Sequence, residues 1–184
     1  MDIKTDYVLD AKGLACPMPI VRTKKTINEL QEGQVLEVQA TDKGSTADIK
    51  AWSERSGHQY IGTLEEGETL KHYIRKSSSE EKVEKKFPHV VGTAELKAIL
   101  KERKVVLLDV REEAEYAFQH IEGSISIPLG DLDTRMNELN KKDEILVICR
   151  TGNRSDFAAH KLAESGFLNV KNVVPGMSAW KEGE

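Results

Sequence analysis

Hydrophobic and polar positions along the chain fall into two patterned blocks separated by a polar stretch. In the first block Tyr7-Val8-Leu9 predicts a strand, and Ile20, Thr23, Ile27 and Leu30 recur at helical spacing within Pro17 to Leu30, a helix that Gly33 ends. From Gln34 to Ala40 the residues Val35, Glu37 and Gln39 alternate with Leu36, Val38 and Ala40, which is strand spacing. Ser45 to Ser56 predicts a second helix after Gly44, and His58 to Thr63 and Thr69 to Arg75 predict two further strands around the turn-forming Glu65-Glu66-Gly67-Glu68. The order βαβαββ within residues 1–76 is that of a two-layer α/β sandwich, with helices covering one face of a small sheet.

The second block, residues 87–184, has strand-like runs at Val105 to Asp109, Ile125 to Ile127, Ile145 to Cys149 and Val170 to Val174, with helical stretches between them. Val105-Val106-Leu107-Leu108 and Ile145-Leu146-Val147-Ile148 are continuously apolar, as strands covered on both faces of a parallel sheet should be. Thr93 is placed to cap a helix that runs through Leu96, and the helix from Gly152 to Ser165 is closed by Gly166. A doubly wound parallel-sheet α/β domain follows, in which sites form at the carboxyl edge of the strands. Between the blocks, residues 77–86 lack a hydrophobic period and read either as a linker or as a short solvated helix acting as a spacer.

Composition narrows the function. With 39% hydrophobic and 32% charged residues the chain has the make-up of a soluble globular protein. Residues 1–76 hold eleven Lys and Arg against twelve Asp and Glu, and residues 89–184 hold thirteen against sixteen. Neither block has the basic excess that direct nucleic-acid binding requires. The first residues lack the basic and apolar regions of a secretory signal, and no apolar run is long enough for a membrane span, so a cytoplasmic protein without a membrane partner is expected. The five histidines have no ligand spacing with one another or with a cysteine and no nucleotide-binding loop is present, so neither metal nor cofactor is expected. That leaves Cys16 and Cys149, which form no C-x-x-C pair and read as free thiols of a reducing compartment.

Cys149 directly follows the apolar run 145–148 and precedes Arg150-Thr151-Gly152-Asn153-Arg154-Ser155, which opens a helix. Backbone N–H groups at such a turn can surround an anionic sulfur, and a helix N-terminus with nearby arginines lowers a thiol pKa from about 8.5 toward roughly 3.5–7.5. The plainer alternative is a buried strand-end cysteine before an ordinary basic loop. The combination of strand, cysteine, polar loop, arginines and helix resembles the rhodanese family, whose active loop is C-x4-[RS]; Cys149 to Arg154 fits it. Leu108-Asp109-Val110-Arg111 is similar to that family's Asp-x-Arg strand end, residues 120–125 to its GHIxGA segment, and Gly176-Met177-Ser178-Ala179-Trp180 to its closing G-G-xx-x-W. Gln119, Ser124 and Pro175 depart from the commonest wording.

The resemblance covers residues 87–184. It implies a persulfide on Cys149, cradled by the backbone N–H groups of Arg150, Thr151, Gly152, Asn153, Arg154 and Ser155, with Arg154 stabilising an anionic donor or the outer sulfur. Asp109 and Arg111 have two readings: a strand-end ion pair that fixes the loop, or substrate binding by Arg111. The related phosphatase loop C-x5-R is one residue longer, and here that position holds Ser155, which favours sulfur transfer over phosphoryl or arsenate chemistry.

Cys16 lies in Leu14-Ala15-Cys16-Pro17-Met18-Pro19. Prolines suit a first helical turn, and they would hold Cys16 at the positive helix end, where its thiolate is favoured. A packed cap cysteine is the alternative reading of these residues. Asp10-Ala11-Lys12-Gly13-Leu14-Ala15-Cys16-Pro17-Met18-Pro19 resembles the D-x-x-G-x-x-C-P-x-P signature of the SirA/TusA-like sulfur carriers, over residues 1–76. That resemblance implies persulfide carriage on Cys16, with Asp10 and Gly13 as turn residues. Together the two resemblances imply a rhodanese-type sulfurtransferase in which sulfur from thiosulfate, polysulfide or a low-molecular-weight persulfide is relayed between Cys149 and Cys16, with a protein donor or acceptor beyond. The rival is a rhodanese enzyme whose first domain only recruits a partner.

Overall fold

A computed structural model describes residues 2–78 and 86–182. Most of the stretch read as a linker, residues 79–85, lies outside them. The chain divides into two compact units, Met1–Ser79 and Glu80–Glu184.

In the first unit β1 (Tyr7–Asp10), α1 (Met18–Glu29), β2 (Val35–Ala40), α2 (Ser45–Arg55), β3 (Gln59–Glu66) and β4 (Thr69–Arg75) follow the expected order. The sheet runs β1-β2-β4-β3, with β1 and β2 parallel and the other pairs antiparallel. The alternation read in β2 has a physical counterpart. Leu36 and Val38 join Ile27 of α1, Ile49 of α2 and Ile74 of β4 in one apolar cluster. The opposite side of the strand is not solvated, however: Val35 and Glu37 are also buried, Glu37 lying opposite Tyr73 in the β2–β4 register. Because β1 and β2 are parallel neighbours, the loops that leave their carboxyl ends, leading into α1 and α2, emerge side by side.

The second unit has an all-parallel sheet ordered β5-β9-β8-β6-β7, from β5 (Val90–Gly92), β6 (Val106–Asp109), β7 (Ile125–Ser126), β8 (Glu144–Ile148) and β9 (Asn169–Val174). Helices α3 (Thr93–Glu102), α4 (Glu113–Phe118), α5 (Leu132–Arg135) and α6 (Asn153–Glu164) connect them. Period-two alternation splits the apolar strands between two cores: Leu108, Ile145 and Val147 pack with α6, while Leu107, Leu146 and Ile148 pack with α3. A strand buried on both faces has no polar side, which is why these runs are continuously hydrophobic. The cap of α3 differs from expectation: Gly92 occupies the N-cap and Thr93 is already helical, since the preceding residues are held in β5. Among the described residues no helix is long and apolar enough to cross a membrane.

Candidate functional site

In the second unit, β8 delivers Cys149 to the carboxyl edge of the sheet, between β6 and β9. The chain then turns through Gly152, which caps α6 at φ 92°. A side chain there would be strained at that φ, which favours glycine. Cys149 is 1% exposed. Its Sγ accepts the Gly152 N–H at 3.1 Å and the Ser155 hydroxyl at 3.3 Å.

The loop's carbonyls are tied from outside. Met177 N–H donates to the Cys149 carbonyl at 2.8 Å, Ser178 N–H to that of Arg150 at 2.9 Å, and Asn172 Nδ2 to that of Gly152 at 3.1 Å. In a planar trans peptide the N–H points opposite the C=O. Anchoring these carbonyls on residues 172–178 therefore directs the N–H groups of Arg150, Thr151 and Asn153 away from that segment. Thr151 is exposed and Asn153 half-buried. The anchoring requires Gly176: a Cβ there would stand 2.3 Å from the Cys149 carbonyl oxygen, and the residue has φ 96°.

The arginines are placed differently from expectation. Arg154 is 5% exposed, and its guanidinium spans Glu115 with Nη1 to Oε2 at 2.7 Å and Nη2 to Oε1 at 2.9 Å. Glu115 Oε2 also accepts the Glu112 N–H at 2.9 Å, closing the N-terminus of α4. Arg154 thus joins α6 to α4 through the Glu115 carboxylate. Arg111 is engaged in the same way. Buried at 5% exposure, it pairs with Asp109 through Nε at 3.0 and 3.1 Å and Nη2 at 2.7 Å, and also donates to the Gln119 carbonyl. This geometry is that of the ion-pair reading of Asp109 and Arg111. Arg150 is the exposed arginine of the loop, with no ion-pair partner among the described residues.

Cys16, in the first unit, is exposed. It precedes α1, whose N-cap is Pro17 and whose second residue is the buried Pro19. The Cys16-Pro17 peptide is cis. Asp10 and Gly13 shape the approach: Asp10 Oδ1 accepts the Lys12 N–H at 3.0 Å, and Gly13, at φ 75°, donates its N–H to Thr41 Oγ1 at 2.9 Å. That turn lays Cys16 against the parallel neighbour's loop. Asp42 Oδ2 accepts the Cys16 N–H at 3.1 Å, and Asp48 Oδ2, in the first turn of α2, accepts the Cys16 S–H at 3.5 Å.

The surroundings of Cys16 run against a favoured thiolate. The hydrogen bond to Asp48 and the negative charges of Asp48 and Asp42 push the Cys16 pKa above its ordinary value. Neither aspartate was singled out from sequence. Their signal was positional: Thr41-Asp42-Lys43-Gly44 leaves β2 at the same sheet edge at which Cys16 follows β1.

The fold and sites thus define two α/β units, each presenting one thiol at a sheet's carboxyl edge. Residues 7–76 match the family described as Sulfurtransferase TusA, and residues 92–183 the Rhodanese-like domain family. The Bacillus subtilis protein named "Putative sulfur carrier protein YrkF" is 50% identical over 181 residues, 97% of both chains. The sulfur carrier protein TusA of Allochromatium vinosum is 47% identical over 72 residues, 39% of this chain and 95% of its own. The Bacillus subtilis protein named "Putative sulfurtransferase YtwF" is 41% identical over 95 residues, 51% of this chain and 90% of its own. The chain belongs to the rhodanese-like family, with a TusA domain ahead of the rhodanese-like domain, and its chemistry is sulfur transfer.

Proposed function

We propose that the protein takes a sulfane sulfur onto Cys149 as a persulfide and relays it to Cys16, from which a protein acceptor removes it. The observation that carries this reading is the setting of the Cys149 sulfur, which receives a backbone N–H and a hydroxyl from its own loop. Hydrogen bonds to an ionised acceptor are the strong kind, and the same donors suit a thiolate before loading and after release. Attack by that sulfur on the outer sulfur of a donor breaks the donor's S–S bond. The electron pair leaves on sulfite from thiosulfate, or on a thiolate from a low-molecular-weight persulfide or polysulfide. Arg150, exposed and next in sequence to Cys149, would meet the donor's negative charge. Two free thiols as working groups suit a reducing compartment, the cytoplasm.

A second reading, in which the first unit recruits a partner and Cys16 takes no sulfur, draws on the raised Cys16 pKa. One experiment separates the two. Wild type, Cys149→Ser and Cys16→Ser are incubated with thiosulfate and with glutathione persulfide, and each cysteine is mapped by peptide mass. The relay predicts that Cys149 loads in Cys16→Ser and that Cys16 stays empty in Cys149→Ser. Loading of Cys16 in Cys149→Ser at the wild-type rate would overturn the relay order. A Cys16 that never loads in wild type would favour the recruiter.

A further inference from the structure

We propose that Asp48, with Asp42 beside it, makes Cys16 the discharging end of the relay: Asp48 accepts the proton of the attacking Cys16 thiol, and the two carboxylates disfavour the sulfur anion that results. This rests on the reading that Cys16 carries sulfur, and deepens it by naming the residues that set its direction.

The two sulfurs have opposite surroundings. Cys149 Sγ faces donors, the Gly152 N–H and the Ser155 hydroxyl. Cys16 Sγ faces the Asp48 carboxylate at 3.5 Å, while Asp42 is held beside it by the N–H groups of Cys16 and Gly44 at 3.1 and 3.0 Å. Neither aspartate has an ion-pair partner among the described residues, so no cation offsets the pair. Asp48 from α2 and Asp42 from the loop before it are the charged groups that act on the Cys16 thiol, and both raise its pKa.

The transfer step balances as follows. Asp48 takes the Cys16 S–H proton; the Cys16 sulfur attacks the protonated outer sulfur of the Cys149 persulfide. A new S–S bond forms on Cys16, the old one breaks, and its electron pair stays on Cys149 as a thiolate that the Gly152 N–H and Ser155 hydroxyl receive. The sulfane sulfur keeps its oxidation level, and Asp48 afterwards returns its proton to water. A persulfide is more acidic than its parent thiol, so once loaded Cys16 ionises beside two like charges. Sulfur therefore resides on Cys149 at rest and leaves Cys16 readily for an acceptor.

The test equilibrates full-length wild type, Asp48→Asn and Asp42→Asn with less than one equivalent of glutathione persulfide without oxygen, then alkylates and maps both cysteines. A parallel arm follows the rate of Cys16 alkylation by iodoacetamide against pH. Asp48→Asn is expected to move the persulfide ratio about tenfold toward Cys16 and the alkylation midpoint to lower pH, with Asp42→Asn shifting both less in the same direction. Asp48→Glu is expected to restore wild-type behaviour. If Cys16 loads but neither ratio nor midpoint moves in Asp48→Asn or Asp42→Asn, the acid pair has no such role. If Cys16 loads in none of the proteins, the relay itself fails and this inference falls with it.

Discussion

Arg154 and Glu115 form a two-pronged ion pair at 2.7 and 2.9 Å with both side chains buried, joining the helix after the Cys149 loop to the helix after β6. Removing one partner of such a pair leaves a charge buried without compensation, at a cost of about 3–5 kcal/mol. Glu115→Ala is expected to lower the stability of the second unit by that amount in urea unfolding. The double variant Glu115→Leu with Arg154→Met is expected to recover most of the loss, because apolar residues need no compensation. If Glu115→Ala unfolds at the wild-type urea concentration, the pair is not structural.

Arg150 predicts the opposite pattern. Its side chain is exposed, so Arg150→Ala is expected to leave the melting temperature unchanged while raising KM for thiosulfate roughly tenfold, an effect that shrinks with added salt. Kinetics at two ionic strengths beside a thermal melt check both halves. An unchanged KM would move donor recognition elsewhere.

Gly176 is the anchor of the loop. The Cβ of Gly176→Ala would overlap the Cys149 carbonyl oxygen, and φ 96° adds strain, so a loss of about 3 kcal/mol or more is expected, together with slowed Cys149 loading. Thermal unfolding and peptide mapping of the variant give the two readouts.

His72 makes the first unit sensitive to acid. It is fully buried, its Nε2 hydrogen-bonded to Ser45 Oγ at 3.0 Å and its Nδ1 to Thr63 Oγ1 at 2.8 Å. Burial lowers its pKa to about 4. Between the unfolded value of 6.5 and about 4 the unfolded chain binds a proton that the native state refuses. The contribution is present above pH 6.5 and is lost as pH falls, to a total on the order of 3 kcal/mol. His58, its pKa also lowered by burial, adds in the same direction. The fall in stability from pH 7 to pH 4.5 is expected to be smaller in His72→Asn than in wild type; equal slopes would contradict the assignment.

Much of this was legible in sequence because local pattern and local chemistry agreed. The continuous runs 105–108 and 145–148 have the pattern of strands covered on both faces, and a cysteine at the end of such a strand sits at the sheet's carboxyl edge. What escaped depended on where distant segments land. Arg154 looks free until α4 brings Glu115 to it from 39 positions away, and Cys16 looks like an activated thiol until the β2–α2 loop brings Asp42 and the first turn of α2 brings Asp48. Strand β5 escaped for another reason: its three residues are too few to show a period, and pairing with β9 defines it.

The relay itself is tested most directly by time-resolved loading. Wild-type protein mixed with excess glutathione persulfide and quenched by alkylation at successive times should show persulfide on Cys149 first and on Cys16 after a lag, with no Cys16 persulfide in Cys149→Ser. Appearance of sulfur on Cys16 without a lag, and equally fast in Cys149→Ser, would contradict it.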